Sequence, residues 1–271
     1  MLIPRLILLA ILLITKVEMC FSQENQNNIF LPGETIYYEV AYNWGMLWVN
    51  AGEVYFKADT ITFNDQPAYA FDSFGRSYSF YDWIFKVRDR FQSRATRDHL
   101  KPLWFKRETY EGGFEVNNQY DFLEDPERII MQLEHSDKPK TIDTLEMPSE
   151  TFDVLTAIYH ARTINFDTLQ AGEKVPVHFI IDGEFYELFI RYQGKEVKKN
   201  RDGKSYSCIK FSALLVEGTI FEGGEDLVVW VTDDENKIPI MAEAKILVGS
   251  IKAYLTGYEN LKQELKVLGE N

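Results

Sequence analysis

Phe85-Lys-Val-Arg-Asp-Arg-Phe-Gln-Ser93 is the stretch that decides the fold. Its side chains alternate with a period of two. Phe85, Val87, Asp89, Phe91 and Ser93 fall on one face, while Arg88 and Arg90 fall on the other, followed by Arg94. That is the pattern of a β-strand with one face on a core. Asp89 is the exception within it. A carboxylate on an apolar strand face needs a hydrogen-bonding or charged partner, because burying it alone is costly. The three arginines point away from it, so the partner must come from another strand. Asp89 is therefore the candidate buried polar residue.

The same alternation runs outward from this segment in both directions. Toward the N-terminus it predicts strands at 35–42, 51–63 and 68–74. Toward the C-terminus it predicts strands at 103–109, 114–122 and 129–133. Glu111-Gly112-Gly113 makes a hairpin connection between two of these, and Ser136–Lys140 reads as a polar loop. After residue 174 the pattern resumes at 175–181, 185–192, 206–216, 227–232 and 238–247. Turns are expected at Asp182-Gly183, Gln193-Gly194, Asn200–Lys204 and Asp233–Asn236.

One segment departs from the period of two. From Pro148 to Arg162, Phe152, Leu155, Ile158 and Tyr159 recur at helical spacing. This predicts one helix over about 149–163, capped by Ser149 or Thr151 and laid against a sheet. Leu261–Asn271 is expected to add a short helix. Neither half carries a Pro/Gly/Ser-rich linker. The expected fold is mainly β: a curved antiparallel sheet or half-open barrel with one connecting helix, in a single domain over 23–271, with a β-sandwich as the alternative.

The N-terminus predicts compartment. Arg5 precedes the apolar run Leu6–Ile14, and Lys16 and Glu18 end it. The run is far shorter than the roughly 20 residues needed to span a bilayer, but it suits a signal peptide. Cys20-Phe21-Ser22 places small residues before a cut at Gln23, so 1–22 is read as a leader. Glu18 and Met19 ahead of Cys20 argue against lipid anchoring there. The expected location is thus exported, periplasmic or associated with the cell envelope, with no transmembrane segment in the mature chain. The formal net charge is −13, which repels phosphate backbones and speaks against nucleic acid as a partner. With Cys20 gone, Cys208 is the remaining cysteine, so neither an intramolecular disulfide nor a cysteine zinc site is expected.

The chemistry-bearing motifs are not met. The chain contains no nucleophile elbow, paired-histidine zinc helix, P-loop or dinucleotide fingerprint. His99, His135, His160 and His178 stand far apart. Asp233–Asn236 lacks the spacing of a calcium loop. No catalytic residue, metal site or cofactor is therefore assigned. What stands out is an excess of aromatics before residue 86. Within it, Ser77–Trp83 fails to alternate and reads as a loop over an apolar opening. Tyr78, Phe80, Tyr81 and Trp83 are the candidate ligand-binding residues. The expected function is non-enzymatic binding or carriage of an apolar ligand such as a lipid. A structural or interaction module of an envelope assembly is the second reading, with an envelope protein as partner, and an enzyme of unknown type is the third.

Several short motifs also occur in a specific order. They are Lys86-Val-Arg-Asp89, Leu100-Lys-Pro-Leu-Trp-Phe105, Tyr110-Glu-Gly-Gly113, Tyr120-Asp-Phe122, Asp153–Tyr159 with Arg162, Asp182-Gly183, Trp230-Val-Thr-Asp-Asp234 and Ile238-Pro239. In this order, over about 33–258, the chain resembles the bacterial exported-protein family called domain of unknown function 3108. The resemblance implies an envelope location and a β-rich fold, and it supplies no activity or catalytic residues. Its fold is expected to be similar to half-open barrels that carry lipids.

Overall fold

The computed structural model describes residues 29–44, 47–125, 127–148, 150–215, 224–246 and 249–269. The expected leader, Cys20 and the cut at Gln23 lie outside the described residues, as do Ser149, Val216 and Leu247.

All the strands belong to one sheet. In chain order they are β1 (Glu34–Trp44), β2 (Leu47–Phe63), β3 (Gln66–Ser77), β4 (Val87–Thr96), β5 (Pro102–Glu111), β6 (Phe114–Glu124), β7 (Glu127–His135), β8 (Lys138–Glu146), β9 (Thr151–Asp153), β10 (Lys174–Ile181), β11 (Glu184–Lys199), β12 (Ser205–Leu215), β13 (Gly224–Thr232), β14 (Pro239–Lys245) and β15 (Ser250–Glu259). Their spatial order is β8-β7-β6-β5-β4-β3-β2-β1-β15-β14-β13-β12-β11-β10-β9. The chain starts at the middle of the sheet and meanders out to the β8 edge. It then crosses to the β9 edge and meanders back until β15 pairs with β1. Every pairing is antiparallel except β9 with β10. One continuous sheet replaces the sandwich alternative, and its edges β8 and β9 do not pair, so it is open and not a closed barrel.

The sheet is strongly curved. Asp182 and Gly183 form the turn between β10 and β11, both at positive φ, as a two-residue hairpin that follows strand twist requires. Asp182 takes an ion pair from Arg107 of β5 at 2.9 Å and a hydrogen bond from Asn118 of β6 at 3.0 Å. The Gly183 N–H donates to the Tyr120 hydroxyl at 3.3 Å. A turn near one edge thus lands on the inner face near the other.

Two helices interrupt the sheet. α1 (Asp82–Phe85) follows a 3-10 turn at Ser79–Tyr81, and α2 (Val154–Ala161) follows β9 directly. The expected helix over 149–163 is therefore shorter, and its first turn is strand. Thr151–Asp153 pairs with His178–Ile180, and the cap is Asp153, whose carboxylate accepts from the Thr156 N–H at 2.9 Å. The other Asp153 oxygen accepts from Ser93 and Thr156 hydroxyls, each at 2.7 Å. Ser93, from the opening motif, so bolts α2 to β4.

Other expectations also change. Gln193-Gly194 is no turn: β11 runs through it as a bulge, with the register slipping between Tyr192 and Gly194, which Gly at positive φ allows. Lys138–Lys140, expected as loop, begins β8. An edge strand tolerates Pro139 and exposed lysines, which also discourage further pairing. β15, left unassigned by the alternation, is the strand that joins the two halves. Leu261–Gly269 forms no helix. It is an irregular segment whose Leu265 is buried with Tyr206, Cys208 and Trp230.

Candidate functional site

Between α2 and the second half of the sheet lies an apolar cleft of about 370 Å³. This is within the range of small-molecule sites. α2 supplies one wall through Val154, Ala157, Ile158, Tyr159 and Ala161, with Arg162 just beyond it. Ile36 and Tyr38 of β1, with Val54 and Phe56 of β2, form the near side. Val177, Phe179, Leu188, Phe189 and Ile190 of the β10–β11 hairpin form the far side. The floor is Phe211 and Ala213 of β12, Leu227, Val229 and Val231 of β13, Ala242 of β14 and Ala253 of β15. The alternation in β12 and β13 puts every second residue on this face.

Small side chains contribute to its border from both sides: Ala157 and Ala161 on the helix, Ala213, Ala242 and Ala253 on the sheet. Close packing of an interior needs enough side-chain volume to fill the space between its elements. Ile158 borders the cleft and is also exposed, which marks the end open to the surface.

The polar groups lie near Arg162. Its side chain is 5% exposed and that of Glu34 is 2% exposed. The guanidinium donates to both Glu34 oxygens, at 2.6 and 3.2 Å, and twice to the Asn236 carbonyl, at 3.1 and 2.9 Å. The hydroxyls of Tyr38 and Tyr159 are buried with no hydrogen-bond partner. Burial drives both phenols up from their ordinary pKa, so they remain protonated donors. His160, next to Tyr159 in the chain, stacks on Phe152 at 4.4 Å, and burial lowers its pKa.

The residues singled out in the sequence lie elsewhere. Tyr78, Phe80, Tyr81 and Trp83 do not border the cleft. Tyr78, Phe80 and Tyr81 sit on the turn that leads into α1 and Trp83 in α1 itself, where Phe80 is 74% and Trp83 79% exposed. Tyr78 hydrogen-bonds Glu39 at 3.2 Å. Phe85 belongs to α1, so the strand of the opening motif begins at Val87.

Asp89 faces inward beside Thr109 of β5. One of its oxygens is buried without a hydrogen-bond partner, and its pKa is pushed up to about 7. Burial is the main cause and Glu111 adds to it, while Arg107 and the Tyr110 N–H pull the other way. Arg107 is itself engaged by Asp182, so Asp89 has no ion-pair partner of its own.

Asp153, fully buried, is raised to about 6 by burial, against the hydrogen bonds from Thr156 and Ser93. Cys208 is buried, and its thiol is pushed up to about 12 by desolvation, which makes it inert at neutral pH. Asp234 is occupied locally by Thr232 and the Asn236 and Lys237 N–H groups. Among the described residues no three His, Cys, Asp or Glu side chains gather as a metal site would require. No described helix is long and apolar enough to cross a membrane.

The cleft itself was missed in the sequence. Its walls come from α2 and eight strands, and the alanines that line it look like ordinary core.

A solved β-barrel-like protein of domain of unknown function DUF1849 from Brucella abortus has a similar fold. The TM-score is 0.56 at 9% identity, over 86% of this chain and 99% of that one. At that identity the likeness concerns fold alone. No curated protein matches the sequence. The family described as "Protein of unknown function (DUF3108)" matches residues 37–256. Those residues hold α2, every strand but the outer ends of β1 and β15, and the cleft lining apart from Ile36, and the chain belongs to that family.

Proposed function

We propose that this is an exported, non-enzymatic protein of the cell envelope whose curved sheet binds an apolar ligand, a lipid or acyl chain, in the cleft beneath α2. The observation that carries this reading is the cleft itself: about 370 Å³ bordered, among the described residues, almost wholly by carbon, with five alanines on its border. Apolar surface left open in this way gains by covering it with hydrocarbon. The two carboxyls raised furthest, Asp89 and Asp153, lie outside the cleft, and Asp153 is used up as a helix cap. Export rests on the reading of residues 1–22 as a leader.

Native mass spectrometry of protein purified from its own host, with lipid extraction, tests the ligand. One co-purifying acyl lipid per chain is expected, displaceable by the apolar dye Nile red. A bare chain that does not bind Nile red would refute the reading. The second reading, an interaction module, is favoured by the exposed Phe80 and Trp83. If it holds, replacing both with Ser will lower the recovery of envelope complexes and leave dye binding intact.

A further inference from the structure

The connection between β3 and β4 shows water the side chains that a surface turn usually lacks. Phe80, Trp83, Ile84 and Phe85 are all exposed. The segment is nevertheless held firmly. Asp82, set among them, turns back to the sheet, where Arg88 pairs with it at 2.6 Å and the Ser77 hydroxyl donates to it at 2.6 Å. The Tyr78 N–H donates to the Ala51 carbonyl at 2.9 Å, and the Val87 N–H to the Ser77 hydroxyl oxygen at 3.0 Å. The Phe85 ring occupies the space that a side chain at Gly112 would need, which seats the segment on the β5–β6 hairpin. The polar groups are thus used up at the base, and the apolar ones are presented outward. Leu47, at the tip of the β1–β2 hairpin, is exposed at the same end of the sheet. The cleft runs toward this end as well: Leu214 and Leu227 on its border lie near the end of β12 and the start of β13. The opposite end is unlike it. Among the described residues its turns carry Asn64-Asp65, Arg97-Asp98-His99, Arg201-Asp202 and Asp233-Asp234-Glu235.

We propose that this end of the sheet docks on a lipid bilayer, with Phe80, Trp83 and Ile84 inserted among the headgroups and upper acyl chains. Docking goes beyond ligand binding in the cleft and does not depend on it. Size favours lipid over a protein partner. The exposed apolar area of these few side chains is on the order of 500 Å², short of the roughly 800 Å² per partner in a stable protein interface. A fluid interface needs no matching pocket and wraps each side chain separately. Depth agrees: the single turn of α1 is about 6 Å long, and interfacial segments sink roughly 5–10 Å. Aromatic rings are the side chains that favour this zone. Charge agrees too. Glu53 is paired with Arg76 and Asp82 with Arg88, while Lys86 and Glu111 add one charge of each sign beside them. The tip therefore carries none of the chain's net charge of −13, and zwitterionic headgroups do not repel it. The acidic turns at the far end stay in water.

Flotation of protein purified from its own host with protein-free phosphatidylcholine vesicles tests the docking. The chain should float with the vesicles, and raising the salt should not release it, because the contact is apolar. Replacing Phe80 and Trp83 together with Ser should lower the partition about a hundredfold, roughly a factor of ten for each aromatic removed from hydrocarbon. The thermal midpoint should stay unchanged, since both side chains are exposed. Ile142→Ser removes an equally exposed side chain from the β8 edge and should leave flotation intact. Ala242→Leu in the cleft should also leave it intact, while the Phe80 and Trp83 double variant should bind Nile red like the unaltered chain, so the docking and the cleft fail separately. A chain that stays in solution, release by salt, or a double variant that floats undiminished would overturn the proposal. Flotation with vesicles that retain envelope proteins, but not with lipid alone, would assign the patch to a protein partner and overturn it as well.

Discussion

The two halves of the sheet present the same alternation to the inside and end up with opposite interiors. In β3–β7 the inner face carries Tyr69, Phe71, Phe105, Tyr120 and Met131, all essentially without exposure. These close against Phe30, Leu155 and Tyr159. Phe71 stacks on Tyr159 at 3.9 Å and on Tyr69 at 5.6 Å, and Phe105 lies 5.3 Å from Tyr120. In β12–β15 the inner face carries Ala213, Val229, Val231, Ala242 and Ala253, and a cleft stays open. α2 serves both halves: Leu155 and Tyr159 plug the first, while Ala157 and Ala161 leave room in the second. Hydrophobic alternation fixes which way a side chain points. Side-chain volume decides whether the space it enters is filled.

Substitutions that change volume should therefore act in opposite ways in the two halves. Phe105→Ala, in the packed half, should cost about 3–5 kcal/mol, since the surrounding rings relax only partly around the cavity. Ala95→Leu in the same half, where Ala95 has no exposure, should cost about 1–3 kcal/mol by overpacking. Ala242→Leu in the open half should change stability by no more than about 1 kcal/mol, because its added carbons enter existing space. Urea melts of the three variants measure the contrast. Equal costs for Ala95→Leu and Ala242→Leu would mean that the cleft is not there.

Asp89 sharpens the comparison from the packed side, where a polar group has intruded. Its folded pKa of about 7 lies above the ordinary 3.8. Below about pH 4 it is protonated, folded or unfolded, and contributes nothing. As pH rises, the unfolded chain loses the proton first, so stability falls between about pH 4 and 7 and is then level. Asp153, raised to about 6, adds a slope of the same sign. Asp89→Asn should thus leave stability near pH 4 unchanged and raise it at pH 8 by about 1–2 kcal/mol, allowing for solvent screening. Melts across pH that show the variant losing stability at pH 8 would mean that the ionised carboxylate has a partner after all.

The smallest effect is expected on the outer face of the same strand. Arg90 pairs with Asp72 at 3.0 Å but is largely in water. Arg90→Ala should cost no more than about 1 kcal/mol, and raising the salt concentration should shrink that cost further. A larger, salt-insensitive loss would show that the two faces of β4 are not as different as the exposure of their side chains implies.

By itself, the sequence determined the class of fold and most of its strands. Period-two alternation is local, and Val87, Phe91 and Ser93 announce an inward face whatever surrounds them. Turn chemistry was legible for the same reason at Asp182-Gly183, where positive φ is needed. It misled at Gln193-Gly194, because a glycine permits a bulge as readily as a turn and only the neighbouring strand decides between them. The start of α2 was misplaced because Thr151–Asp153 could pair only with β10, far along the chain, and that pairing outweighs the capping signals before it. β15 was overlooked because its alternation is weak, and its place between β1 and β14 comes from neighbours on both sides. The cleft was beyond reach altogether. An alanine in a strand looks the same whether a phenylalanine or another alanine faces it, and the facing residue is set by curvature, which brings together residues over a hundred positions apart. The same holds for Tyr38, Tyr159, Glu34 and Arg162: their chemistry was in the sequence, but their meeting at one end of an apolar cleft was decided by the tertiary structure.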